Sequence, residues 1–263
     1  MKGTVSRRPI TATERQTARP VCLLSVESEM TDIYRFADVN VRIVSVYQRI
    51  HSVCSSYAAR GSAAFSVETG PADIAHERSL ADRPGYSDDY LESLAVCRKI
   101  AERMPEYDVF LFHGSAVAAD GNAYVFTAPS GTGKSTHARL WRELLGEKAV
   151  MVNDDKPFIR VRPDGTATAY GTPWDGKHHL SSNTAVPLKA VCVLERAEEN
   201  FIRKISKTEA LPALIRQTYR PEDPRALDRT LTLLERMNVK LYRLGCNTDL
   251  SAAELSYNTM KED

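Results

Sequence analysis

Eight consecutive residues constrain this chain more than any other feature. Ala128-Pro129-Ser130-Gly131-Thr132-Gly133-Lys134-Ser135 follows the Walker A pattern G-x-x-x-x-G-K-[ST], with alanine in place of the first glycine. A loop of this kind turns successive backbone N–H groups inward around phosphate oxygens, and the helix after it adds the positive end of its dipole. Gly131 and Gly133 supply the backbone freedom, and alanine is tolerated at the first position if its φ is negative. The pattern needs a strand before it and an amphipathic helix after it. Residues 123–127 are an apolar run, and 135–145 carries Ala138, Trp141, Leu144 and Leu145 at helical spacing with Gly146 as its stop. The residues expected to hold a nucleotide are Ser130, Gly131, Thr132, Gly133, Lys134, Ser135 and Thr136. Lys134 would reach the β and γ phosphates, and Ser135 would join a Mg²⁺ shell.

The flanks add candidate chemistry. Upstream, 109–119 and 123–127 are apolar runs around Asp120-Gly121-Asn122, a β-hairpin pattern that feeds the loop. Downstream, 149–152 reads as a buried strand ending in Asn153-Asp154-Asp155, which a parallel sheet would deliver to the same edge as the loop. There one carboxylate can hold Mg²⁺ and the other can take the proton from an attacking hydroxyl, although the same letters also suit a plain turn. Gly171-Thr172-Pro173-Trp174-Asp175-Gly176-Lys177-His178-His179 combines glycines, an aromatic, an acid and three cations. Lys177 is a candidate for screening developing charge and Asp175 for a further metal contact, while a surface turn around a packing tryptophan explains the same letters. His178 and His179 have no further His or Cys at metal-ligand spacing.

Elsewhere the pattern predicts strands over 39–46, 63–67, 188–194 and 239–244, and helices over 88–104, 207–217, 223–237 and from about 250. Residues 72–89, rich in charge and turn formers, read as a loop, and 1–20, with five basic residues and one acid, as a disordered tail. Three segments result: the tail, a small α+β region over 21–105, and a domain over 106–263 built around the loop.

With 35 Lys and Arg against 34 Asp and Glu, the chain is no nucleic-acid coat. Its five cysteines, Cys22, Cys54, Cys97, Cys192 and Cys246, are scattered and form no C-x-x-C pair, which points away from zinc and disulfide frameworks. No apolar run approaches the ~18 residues of a membrane span, and the first segment lacks the apolar centre of a secretory signal, so a cytoplasmic location is expected.

Phe112-His113-Gly114 ahead of the hairpin, Ser130-Gly131-Thr132-Gly133-Lys134-Ser135, and Val152-Asn153-Asp154-Asp155 together resemble, in order and spacing, the HPr kinase/phosphorylase and phosphoenolpyruvate carboxykinase superfamily. The resemblance covers about residues 109–200. It implies an α/β fold with a mixed-sheet P-loop kinase core, His113 near the transferred phosphate, Ser135 and Asp154 at the metal, and Asp155 as the acid/base that activates a serine hydroxyl. The Glu-x-Arg-Gly-Leu-Gly segment of true HPr kinases is absent, and the Gly-Thr-Pro-Trp segment at Gly171 stands roughly in its place. That segment is similar to one in HPr-kinase-like proteins, some associated with modified-peptide pathways. The expectation is an ATP-dependent, Mg²⁺-requiring kinase with Asp155, Lys134, His113 and Lys177 as catalytic residues and Ser135, Asp154 and Asp175 at the metal. Its favoured acceptor is serine of a peptide or protein. The alternatives are a kinase of free serine or a sugar, and a non-catalytic nucleotide-sensing module. Neither nucleic acid nor membrane is an expected partner, and a homo-oligomer is left open.

Overall fold

The computed structural model describes residues 30–176 and 178–262. The expected tail over 1–20, Cys22 and Lys177 lie outside the described residues. The chain opens with a hairpin of β1 (Met30–Phe36) and β2 (Val39–Ser45), whose two-residue turn, Ala37-Asp38, has φ of 45° and 62°. Then come α1 (Gln48–Val53), β3 (Phe65–Glu68), α2 (Pro71–Leu80) and α3 (Asp88–Arg103). β3 pairs parallel to β2, completing a three-stranded sheet in the order β1-β2-β3.

The large sheet uses β4 (Val109–Leu111), β5 (Ser115–Ala119), β6 (Asn122–Thr127), β7 (Val150–Asn153), β8 (Phe158–Val161), β9 (Ala167–Tyr170) and β10 (Ala185–Arg196), with α4 (Lys134–Leu145) following β6. It runs β4-β8-β9-β10-β6-β5-β7. The chain continues through β11 (Phe201–Lys204), α5 (Lys207–Gln217), α6 (Pro224–Arg236), β12 (Lys240–Cys246) and α7 (Leu250–Glu262). β12 pairs parallel to β10 and carries β11 on its far side. The molecule is therefore a mixed α/β structure.

Strand β6 shows why the sequence gives these layers. Ala123 and Val125 face one cluster with Leu214 of α5 and Leu233 of α6. Tyr124 and Phe126 face another with Trp141 of α4 and Ala253 and Met260 of α7. A strand buried on both faces reads as a continuous apolar run rather than an alternation. Wholly buried Trp141 anchors the second layer against Tyr124, Phe126 and Tyr257; its truncation to alanine would cost about 3–5 kcal/mol. In a third cluster Tyr34, Phe36 and Ile100 join Val109, Leu111, Phe158 and Trp174, so the small sheet and α3 pack on the β4–β8 end of the large sheet across the expected 105/106 division.

Two expectations change. The apolar run over 109–119 is two strands in different pairings: β4 joins β8, whereas β5 joins β6 and β7. The chain crosses between them at His113-Gly114, where a Cβ on residue 114 would come within 2.9 Å of the Phe126 carbonyl oxygen. The expected loop over 72–89 holds α2, started by Pro71 and by the Asp73 carboxylate accepting the Gly70 N–H at 3.1 Å. Polar ties seat α2 on α3: Arg98–Glu77 at 2.6 Å and Lys99–Asp73 at 2.7 Å.

The topology brings several strand ends to one edge. β5 is antiparallel to both β6 and β7, so β6 and β7 run in the same direction with β5 between them. Their C-terminal ends and the start of β5 meet there. Among the described residues no helix is long and apolar enough to cross a membrane.

Candidate functional site

The glycine-rich loop leaves β6 and enters α4, whose first residue is Lys134. Gly131 and Gly133 have φ of 76° and 130°, the left-handed region that favours glycine. Ala128 is buried and is not among the residues with positive φ, so the alanine fits without strain. The first turn of α4 has no acidic residue and no side-chain cap, leaving its N–H groups available to an anion. Lys134 is buried and donates to the Ala128 carbonyl at 2.8 Å; burial pushes its pKa down, against the pull of Asp155. Arg196, the last residue of β10, donates to the Gly131 carbonyl at 2.6 Å.

At the end of β7, the side chain of Asn153 ties the neighbouring backbone together. Its Oδ1 accepts the N–H groups of Asp155 at 2.8 Å and Lys156 at 2.5 Å, and its Nδ2 donates to the Thr172 carbonyl at 3.1 Å. Asp154 is thereby aimed at the loop that follows β9. Its Oδ1 accepts the Gly176 N–H at 2.5 Å, while its Oδ2 is buried with no hydrogen-bond partner. Burial raises the Asp154 pKa, the Gly176 N–H opposes the rise, and the Asp175 charge adds to it. A Cβ at 176 would lie 2.7 Å from Asp154 Oδ2, so any larger residue there would displace the Asp154 carboxylate. A buried carboxylate oxygen without a donor suits a cation, and Ser135 lines the same cleft. Among the described residues no group of three or more His, Cys, Asp or Glu forms a metal cluster.

Asp155 behaves differently from its neighbour. His113 Nε2 stands 3.3 Å from Oδ1 and Lys156 Nζ 2.5 Å from Oδ2. Burial alone would raise this carboxyl, but the His113 hydrogen bond and the Lys156 charge outweigh it and hold it well below the usual carboxylate range. Lys156 is raised in turn: burial opposes its charge, and Asp155 more than compensates. The backbone of His113 is fixed on both sides, its N–H donating to the Gln217 carbonyl at 2.7 Å and its carbonyl accepting the Thr127 hydroxyl at 2.9 Å.

The segment after β9 closes the cleft. Trp174 is buried and its indole N–H donates to the Ser93 carbonyl of α3 at 3.0 Å, so this tryptophan packs. Asp175 is engaged within its own segment, by His179 Nδ1 and the Ser181 hydroxyl, both at 2.9 Å. The resulting cleft, of about 580 Å³, brings together Ser130, Gly131, Gly133, Lys134, Ser135, Thr136, His113, Asp154, Asp155 and Asp175. Thr132 does not line it. His178 and His179 do. Lys156 and Tyr90 also line it and were not anticipated. Lys156 had a signal, since it directly follows the Asp pair; Tyr90, delivered by α3, and the Arg196 grip on the loop had none.

A family model described as SynChlorMet cassette protein ScmC matches residues 87–219, a stretch that holds His113, the glycine-rich loop, Asp154 and Asp155. None of the curated proteins matches the chain. Among solved structures, the Hpr(Ser) kinase/phosphatase from Coxiella burnetii aligns with a TM-score of 0.37 at 11% identity, covering 58% of this chain and 97% of that one. Since the family match spans residues 87–219, from the cap of α3 to just past α5 and just over half of the 263 residues, the chain belongs to the SynChlorMet cassette protein ScmC family.

Proposed function

We propose that this protein is an HPr-kinase-like, ATP-dependent kinase that moves the γ-phosphoryl group to a hydroxyl, with serine of a peptide or protein as the favoured acceptor. One observation carries the reading: Asp155, kept ionised by His113 and Lys156, shares a cleft with Lys134, Ser135 and the open start of α4. Phosphoryl transfer asks the protein chiefly for positioning and charge stabilisation, and these groups supply both.

In this reading the loop N–H groups and α4 hold the phosphates, and Lys134 exchanges the Ala128 carbonyl for phosphate oxygens. Mg²⁺ would be held by the Ser135 hydroxyl and Asp154 Oδ2, and supplies charge neutralisation across the phosphate oxygens. Asp155 orients the acceptor hydroxyl and receives its proton, while Lys156 and His113 fix the carboxylate. Asp175 holds its segment so that Gly176 bears on Asp154, and from the same cleft it remains the candidate for a further metal contact. Lys177 remains the candidate for screening charge on the transferred group. A cytoplasmic setting suits ATP as donor and keeps the described cysteines reduced, three of which are buried.

Labelled ATP in a cell extract, followed by identification of the phosphorylated species with purified protein, tests the reading. Lys134→Ala should lose nucleotide binding. Asp155→Asn should bind ATP and transfer about 10²–10⁴-fold more slowly. Wild-type transfer by Asp155→Asn, or ATP binding without any phosphorylated product in the extract, would sink it.

A further inference from the structure

A second cleft, of about 380 Å³, meets the first at His113, Asp155 and Lys156 and contains no residue of the glycine-rich loop. Its outer wall is the end of α5 and the two residues after it, held in place as a short extension of the sheet. Phe112 bridges Thr218, and the Tyr219 N–H donates to the Leu111 carbonyl at 2.9 Å. Asp155 is thus common to two clefts. A phosphate seated on the loop occupies one of them, and a group entering through the other meets the carboxylate directly.

The charge of this second cleft is lopsided. Asp155 is its one carboxylate and is already bound by Lys156 and His113. Arg216 lines the same cleft and has no hydrogen bond or ion pair among the described residues. On the next helix, by contrast, Arg236 is tied to Asp108 at 2.8 Å. A solvent-exposed guanidinium on the wall of a cleft whose one carboxylate is already paired favours an anion, and its planar fork suits a carboxylate best.

We propose that this second cleft is the acceptor subsite, and that Arg216 selects an acceptor carrying a carboxylate close to its hydroxyl. The carboxylate comes either from a hydroxy amino acid with a free main-chain carboxyl or from an acidic residue beside it in a peptide. The proposal rests on the kinase reading above. In the transfer, the acceptor oxygen forms a bond to the γ phosphorus and the bond from that phosphorus to the β,γ-bridging oxygen breaks. The bridging oxygen leaves on ADP with the electron pair, and the acceptor proton passes to Asp155 and then to water.

Calorimetric titration of the full chain, with magnesium and a non-hydrolysable ATP analogue, tests this with two probe pairs. N-acetylserine against N-acetylserinamide reports a main-chain carboxylate. The end-blocked peptides Ala-Ser-Asp-Ala and Ala-Ser-Asn-Ala report an acidic neighbour. In at least one pair the acid should bind roughly tenfold or more tightly than its neutral partner, and the pair that does so identifies the source. Arg216→Gln should erase that ratio and Arg216→Lys should restore part of it. Equal binding within both pairs, no binding by any probe, or a preference that survives Arg216→Gln overturns the inference. With ATP in place of the analogue, a preference that persists without any phosphorylated product sinks the kinase reading and leaves the carboxylate subsite standing.

Discussion

Asp155 keeps its charge in a site whose burial works against it, and the sign of each contribution makes that testable. Burial favours the neutral acid, whereas the His113 hydrogen bond and the Lys156 ammonium favour the carboxylate and prevail. Replacing Lys156 with methionine keeps the length of the side chain and removes its charge, so the Asp155 pKa must rise. If the ionised carboxylate receives the acceptor proton, the acid limb of kcat/KM moves to higher pH in Lys156→Met, with the two enzymes converging toward neutral pH. A pH–rate profile of each checks it, and an unmoved acid limb would show that another group controls the chemistry. Much of this site was legible in the sequence. A glycine-rich loop announces itself because the backbone angles at Gly131 and Gly133 depend on local residue type, and the Asp pair lies at the end of a strand. Lys156 shows in the sequence only as the neighbour of the Asp pair, because a lysine in an Asn-Asp-Asp-Lys-Pro stretch otherwise reads as part of a solvated turn. What the fold adds is the half-buried contact of its ammonium with the Asp155 carboxylate.

Between elements, one side chain connects β7 to the segment after β9. Asn153 is fully buried, accepts two backbone N–H groups and donates to the Thr172 carbonyl. Asn153→Ala leaves these groups without partners, which should cost about 3 kcal/mol and lower Tm by roughly 6–12 °C. It also frees Asp154 and Asp155 from their alignment, so transfer should fall further than the loss of folded protein explains. Thermal melting and a transfer rate measured well below Tm separate the two effects; a stability loss with full activity would make Asn153 a structural residue alone. The same scale shows where sequence patterns carry. The apolar spacing alone places helix α5 at its observed bounds, residues 207–217, and the structure adds the Ser206 cap, which accepts the Glu209 N–H at 3.2 Å. Helix α2 escaped because ion pairs to α3 seat it, with Ile74 as its one buried apolar side chain. The strands β8 and β9, four residues each, are too short for a period to show. The break between β4 and β5 escaped because both pieces are buried and apolar.

Across the molecule, the helix that starts at the glycine-rich loop is fastened to the last helix by a buried polar group. Ser256 of α7 accepts the Trp141 indole N–H at 2.8 Å, and with its own hydroxyl donated to the Ala253 carbonyl at 3.1 Å, its contact with His137 at 3.0 Å is satisfied by a protonated Nε2. His137 is then the neutral Nε2–H tautomer, and its Nδ1 is buried with no partner to receive a second proton. Burial accordingly pushes its pKa down to about 4. In the unfolded chain the ordinary value is about 6.5. Below that pH the unfolded state takes up a proton that the folded state refuses, so stability is complete above about 6.5 and declines as pH falls toward 4. The full span corresponds to about 3 kcal/mol, and the part between pH 7 and 5 to about 2 kcal/mol. His137→Gln retains an N–H for Ser256 and cannot titrate in this range. Urea unfolding at pH 7 and pH 5 should show the wild type losing about 2 kcal/mol more than His137→Gln on acidification. Equal losses would mean that the α4–α7 contact is indifferent to acid. A larger wild-type loss would tie the integrity of the loop at Lys134 to a helix that docks from the far end of the chain.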